Sequence, residues 1–225
     1  MLPRILEVEA MDTPLEARDY DTMDHSTVNR VFVSDLIPWL EQLGDSEDLY
    51  LLDVGTGTAQ IPIELCRRFD RCSVRAVDLA IEMLKIGHRN VDVAGLTDRI
   101  VLQQEDAKRL SYPENQFDAV VSNSIIHHIP EPLRALGEIK RVLRRGGVYF
   151  VRDLCRPETL ELVDHIVNTY AGQENAHQQQ MFRDSLHAAL TVDDVRAMLR
   201  ELSLPEEWVQ MTSDRHWTIA GRKPA

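Results

Sequence analysis

A chain of 225 residues has the length of one domain, and a hydrophobic content of 44 % suffices for a sizeable core. With 37 acidic residues against 25 basic ones the net charge is −12, which repels a phosphate backbone, so no nucleic-acid partner is expected. No apolar run approaches the ~20 residues of a membrane span, and residues 1–7 lack the apolar core of a signal peptide, so a cytoplasmic location is expected. Cys66, Cys72 and Cys155 match no metal-ligand spacing and suit reduced, structural thiols.

Residues 1–20 are mixed in character and predict an irregular or partly helical lead-in. From 24 to 43, Val28, Val31, Phe32, Leu36, Trp39, Leu40 and Leu43 recur at the three- and four-residue spacings of a helix with one buried stripe. Asp24 or Ser26 could cap it, and Gly44-Asp45-Ser46 breaks to a loop. The segment before the helix, with Tyr20, Asp24 and His25, is dense in polar groups and serves either as a solvated cap or as part of a site.

The chain is organised around residues 49–59. The apolar run Leu49-Tyr50-Leu51-Leu52 ends in Asp53, then Gly55 and Gly57 form a turn, and a helix begins at Gln60. Such a run reads as a buried parallel strand, and glycines at its carboxyl end let a ligand approach the backbone. A dinucleotide-binding turn requires glycine where Gln60 stands. An acid just before the turn also repels pyrophosphate but suits an amino group or a sulfonium.

The helix from 60 to 69 carries Pro62 in its first turn, where a missing amide proton costs little. A second strand, 73–78, ends in Asp78, 23 residues after Gly55. That acid either accepts from a ribose diol or caps the helix at 80–90. A third strand at 99–104 precedes Glu105-Asp106-Ala107, and a fourth, Phe117 to Asn123, leads into Ser124-Ile125-Ile126-His127-His128-Ile129-Pro130. His127 and His128 either face a pocket or pack and cap; with no ligand partners at helical spacing they predict no metal site. A helix at 133–145 is expected to end at Gly146-Gly147, with the Arg141–Arg145 cations complementing its dipole. A fifth strand follows at 148–153. Alternating strands and helices from 49 to 153 specify a parallel sheet covered on both faces. Beyond it, helices are expected at 158–170, 177–190 and 195–202, the last capped by Thr191, and strands at 204–212 and 217–222.

Asp-Val-Gly-Thr-Gly-Thr-Ala (53–59), Asp78, Asp106-Ala107, and the run from Phe117 and Asp118 through Asn123 to His-His-Ile-Pro and Arg-Arg-Gly-Gly resemble class I S-adenosylmethionine-dependent methyltransferases of the small-molecule type, such as the ubiquinone/menaquinone methyltransferases. The resemblance implies a Rossmann-like, doubly wound sheet of seven strands, mostly parallel with an antiparallel last strand. It adds an N-terminal lid helix and a helical insertion before the last two strands. On it, the chain is one domain: a lid over 1–45, a cofactor core over 46–155, an insertion over 156–204 and a terminal strand pair over 205–225.

The same resemblance implies S-adenosyl-L-methionine as cofactor. Its expected binding residues are Asp53, Gly55, Thr56, Gly57, Asp78, Leu79, Asp106, Ala107, Ser122, Asn123 and Tyr20. His127 and His25 are the candidate general bases, needed only if the acceptor must lose a proton. Arg152, Asp153, His177, Gln180, Arg183 and His216 are polar candidates for an acceptor pocket. The expected acceptor is a small molecule of unspecified identity. A non-catalytic cofactor binder stays open as an alternative, as does an NAD-dependent oxidoreductase, disfavoured by Gln60 and by the lack of a Tyr-x-x-x-Lys pair.

Overall fold

The computed structural model describes residues 2–7, 12–44 and 48–224. The strand β1 (Leu49–Val54) alternates its side chains between two cores: Leu49 and Leu51 enter one, Leu52 and Val54 the other. A strand buried on both faces needs apolar residues at every position but its functional end, which is why the run reads as unbroken until Asp53.

Around β1 lie β2 (Cys72–Asp78), β3 (Ile100–Gln104), β4 (Phe117–Asn123), β5 (Leu143–Leu154), β6 (Val209–Met211) and β7 (His216–Arg222), in the order β3-β2-β1-β4-β5-β7-β6. Pairings among β1 to β5 are parallel, and β7 runs antiparallel to both β5 and β6. The expected Rossmann-like sheet of seven strands, with its last strand reversed, is the one observed. The strand order reverses between β1 and β4, the switch point outside which open α/β sheets bind ligands.

One face is covered by α2 (Ser26–Glu41), α3 (Gln60–Arg68) and α4 (Ile81–Val93), the other by α5 (Pro132–Val142) and α8 (Val192–Glu201). Between β5 and β6 the chain adds α6 (Leu160–Ala171) and α7 (Ala176–Ala188), which share a smaller core, then α8 with its Thr191 cap. In α2 the buried stripe is Phe32, Val33, Leu36 and Leu40. Val31, expected in it, is 49 % exposed. At 100° per residue it lies opposite Leu36 and Leu40. The lead-in contains a true helix, α1 (Pro14–Thr22), started by a Thr13–Glu16 capping box. From Asp45 on, the loop expected at 44–46 lies outside the described residues.

Two boundaries differ from expectation. The helix expected to reach residue 145 stops at Val142, because Leu143 pairs with Phe117 in the β4–β5 ladder and the strand starts there. The basic cluster is divided accordingly. Arg141 holds Glu138 and two carbonyls at the helix end, whereas Arg144 pairs with Asp118 at 2.5 Å within the sheet. The strand expected at 204–212 is confined to 209–211, since residues 206–208 form a 3-10 turn after Pro205. Among the described residues no helix is long and apolar enough to cross a membrane.

Candidate functional site

The turn after β1 is built by backbone angles that most side chains resist. Gly55 has φ +76° and Gly57 φ +55°. A Cβ on Gly55 would stand 2.2 Å from Ile125, and one on Gly57 3.6 Å from Tyr20. The corner is thus pressed between the loop after β4 and α1. Above it lies a cavity with about 760 Å³ of empty space, part of it open to solvent. Its walls come from the carboxyl ends of β1, β2, β3 and β4, from Tyr20 of α1, and from Met83 of α4.

Each of the first three strands presents an acid at this edge. Asp53 is 2 % exposed; its Oδ2 and the Thr56 Oγ1 make no well-aligned hydrogen bond, but the Thr56 hydroxyl stands against the Asp53 carboxyl and partly stabilises its charge. Burial, with the Asp78 charge adding, pushes the Asp53 carboxyl up to about 7. Asp78 is half-buried and fixed by two backbone amides, Gly57 N to Oδ2 at 2.8 Å and Ala80 N to Oδ1 at 2.9 Å. It therefore caps α4 and braces the glycine corner, while a carboxylate with about four acceptor sites keeps two for a ligand. Burial raises its pKa despite those amides. Asp106 accepts from Lys108 N at 2.8 Å and pairs with Lys108 Nζ at 3.0 Å. Burial opposes its ionisation, but these contacts outweigh it and hold the carboxyl below its usual value.

The helix α1 is tied down beside this corner. Ala17 and Tyr20 pack on Ala80, Met83 and Ile86, and Asp21 accepts from Asn90 at 3.0 Å. Tyr20 stacks on His25 at 4.5 Å, and burial beside Asp78, Asp53 and Asp21 pushes its phenol up to about 12. His25 Nε2 lies 3.1 Å from Tyr20 O, so this ring braces α1.

Tyr20, Gly55, Gly57, Asp78, Leu79, Asp106, Ala107 and Asn123 all line the cavity. Asp53 and Thr56 are buried and do not themselves line it, although their neighbours Val54, Gly55 and Gly57 do, and His25 stacks on Tyr20. Ser122 is fully buried and donates to Val54 O at 2.8 Å, a strand-to-strand tie. Asp118 accepts from Tyr50 N at 2.7 Å and from Arg144, locking β4 to its neighbours. The two histidines part ways: His128 lines the cavity, whereas His127 is 2 % exposed and sits on Asp153, Nδ1 to Oδ1 at 2.5 Å. Asp153 also accepts from Ile126 N and Leu154 N, so it holds the 3-10 turn at residues 126–128 in place. Burial disfavours charge on His127, but Asp153 outweighs it and raises the imidazole pKa. Burial and the neighbouring His127 lower that of His128.

None of the six polar candidates for an acceptor pocket lines this cavity. Arg152 bonds Thr218 and Asp35, His177 pairs with Asp19, Gln180 with Asp184, Arg183 with Asp164 and His216 with Ser213. Cavity-lining residues that the sequence did not offer as site candidates include Val77, Ala80, Met83, Glu105, Ser124 and Ile125. The apolar ones carry no chemical signal in sequence.

A cationic, amino-bearing nucleoside fits this site. Asp53 is a buried carboxyl, Asp78 and Asp106 place two further acceptors at neighbouring strand ends, and glycine leaves the turn open to close approach. The matches to other proteins agree. Residues 52–151 match the family described as "Methyltransferase domain". The chain is 32 % identical over 159 residues to the demethylmenaquinone methyltransferase of Porphyromonas gingivalis, covering 69 % of this chain and 63 % of that protein. It therefore spans less than two thirds of that relative's length. A proposed S-adenosyl-L-methionine-dependent methyltransferase from Methanococcus maripaludis superposes with a TM-score of 0.75 over 98 % of both chains, at 20 % identity. The plantazolicin methyltransferase BamL, solved with SAH, does so with a TM-score of 0.69 over 88 % of this chain and 71 % of its own, at 15 % identity. These matches give the chain the fold of class I S-adenosylmethionine-dependent methyltransferases and a match to the methyltransferase-domain family over residues 52–151.

Proposed function

We propose that the chain transfers a methyl group from S-adenosylmethionine to a small-molecule acceptor, and that the cavity at the β1–β4 edge is where it does so. Bound there, the cofactor supplies a methyl already activated by its sulfonium. Asp53 neutralises the cofactor's amino group, Gly55 and Gly57 allow the backbone to approach its amino-acid tail, and Thr56 sits beside them. Asp78 accepts from the ribose, Leu79 covers it, Asp106 takes the adenine amino group and Ala107 leaves room for the ring. Asn123, Ser124, Ile125, His128 and Ile129 form the acceptor end. Tyr20, held by α1 and His25, closes the top and excludes water.

With the methyl activated, the protein's part is alignment, which supplies on the order of 7–11 kcal/mol at best. His128, rather than the buried His127, is the imidazole in reach of an acceptor. The single observation that carries the proposal is a cavity at the β1–β4 edge lined by a glycine corner and the strand-end acids Asp78 and Asp106, with the buried Asp53 carboxyl beside it. The Porphyromonas relative is named for a demethylated menaquinone, so quinone- and phenol-type rings head the acceptor panel. The three free thiols accord with the cytoplasmic location expected from sequence.

The test is calorimetric titration with S-adenosylhomocysteine and with NADH, followed by transfer of labelled methyl to the panel. Binding of the first and not the second, with label in one acceptor, is expected. NADH binding alone would overturn the proposal; tight homocysteine-analogue binding with no labelled acceptor across a broad panel would favour a non-catalytic binder.

A further inference from the structure

Residues 2–7 form an arm docked against the 3-10 turn that carries the two histidines. Arg4 donates to His127 O at 3.0 Å, Ile129 O at 3.1 Å and Ala188 O at 2.7 Å, and Ile5 N donates to His187 O at 3.0 Å. This anchoring delivers the Glu7 carboxylate to the histidine pair. Glu7 Oε1 lies 3.1 Å from His128 Nδ1 and 3.6 Å from His127 Nε2, and the three atoms all fall within 4.8 Å of one another. All three atoms are buried and none makes a well-aligned hydrogen bond, although the Glu7 carboxylate stands against His128 and the Ser185 hydroxyl. His127, only 2 % exposed, aims Nε2 into the cluster because Asp153 holds its other nitrogen.

A buried carboxylate facing two imidazole nitrogens can be held together by shared protons or by one cation that replaces them. Ligands about 2.0–2.2 Å from one tetrahedral ion stand about 3.3–3.6 Å apart, close to the 3.1 and 3.6 Å from Glu7 to the two imidazoles. A carboxylate that orients a ligating imidazole through its far nitrogen is the usual outer support of such a site. We propose that Glu7 Oε1, His127 Nε2 and His128 Nδ1 bind a divalent transition-metal ion, with Asp153 as the positioning residue for His127. Two imidazoles and one carboxylate suit zinc, iron(II), cobalt(II) or nickel(II) rather than calcium or magnesium.

Three protein ligands leave a coordination position open, and His128 belongs to both the cluster and the cavity wall. An acceptor hydroxyl or thiol bound there loses its proton to water. Its anion then forms the bond to the methyl carbon as the carbon–sulfur bond breaks, and the sulfonium leaves as a neutral thioether. This catalytic extension rests on the methyl-transfer proposal; the metal site does not.

The test uses the full chain, free of any affinity tag and stripped with chelator, titrated with cobalt(II) and followed by its visible ligand-field absorption. One cobalt per chain is expected, displaced by zinc, with affinity lowered at least about tenfold in Glu7→Gln and in His128→Gln. Glu7 lies on an arm outside the sheet, so Glu7→Gln decides the matter if the histidine variant folds poorly; unchanged S-adenosylhomocysteine affinity and melting temperature would confirm its integrity. No stoichiometric cobalt binding by the unaltered chain overturns the proposal, as does binding that Glu7→Gln leaves intact. Metal binding without methyl transfer would refute only the proposed activity, and transfer undisturbed by chelator would refute only the metal's part in it.

Discussion

Replacing Asp53 by asparagine separates the ligand's contribution at this position from the fold's. In the ligand-free protein burial lifts the Asp53 carboxyl to about 7, about three units above its unfolded value. A raised carboxyl pKa means that the folded state binds more protons than the unfolded one between about pH 4 and pH 7, so this group lowers stability as pH rises through that window. The Asp53→Asn variant, whose side chain keeps the same shape without the charge, is therefore expected to have an equal or higher melting temperature at about pH 8.

Cofactor binding reverses the sign. An ammonium beside Asp53 favours the carboxylate and pulls its pKa down, so binding below pH 7 must expel a proton. Affinity for S-adenosylhomocysteine is then expected to fall about tenfold, or about 1.4 kcal/mol, per pH unit below about 7. From about pH 8 to about pH 6 the dissociation constant should rise about tenfold in the unaltered chain and stay nearly flat in Asp53→Asn, which binds more weakly throughout. The ligand's ammonium only gains protons as pH falls, so it cannot produce this loss. Calorimetry in several buffers measures affinity and proton release together. A flat profile in the unaltered chain, or an Asp53→Asn variant that binds as tightly, would refute the assignment of Asp53 to the amino group.

Three further outcomes follow from the same geometry. Asp78→Ala should weaken S-adenosylhomocysteine binding by at least ~1 kcal/mol in calorimetry, the worth of a hydrogen bond to a charged group, and unchanged affinity in a folded protein would remove the ribose role. Gly55→Ala combines positive φ with a 2.2 Å approach to Ile125 and should cost at least ~1–3 kcal/mol in denaturant unfolding, with cofactor affinity lost alongside; a neutral result would mean that the corner is more pliable than drawn. Leu36→Ala empties a fully buried position between α2 and the sheet and should destabilise by about 2–5 kcal/mol without altering the pH profile of binding.

The sequence disclosed the sheet most clearly where local pattern and burial coincide. β4 occupies the expected residues 117–123, and β1, β2 and β3 fall within a residue or so, because two-sided burial leaves an unmistakable apolar run. β5 was harder. Its first residues, Leu143 to Gly147, read as a helix end by composition, and only the pairing of Leu143 with Phe117 draws them into the sheet. The site was legible through its strand-end acids, which any local reading finds. Asp118 and Ser122 share the same motif but serve the ladder, a role set by partners such as Arg144 and Val54 that lie far away in sequence. The exchange of roles between His127 and His128 depends on Asp153, 26 residues on from His127, and on which way one 3-10 turn faces. Glu7 gave no signal at all, since only Arg4's grip on the turn brings it to the histidines.

A structure of the chain with S-adenosylhomocysteine bound tests the central claim most directly. Its amino group should meet Asp53, its ribose hydroxyls Asp78 and its adenine Asp106 and Ala107, with the sulfur directed toward Asn123 and His128. An adenosyl group lodged away from the β1–β4 edge, or an amino group that does not meet Asp53, would contradict it.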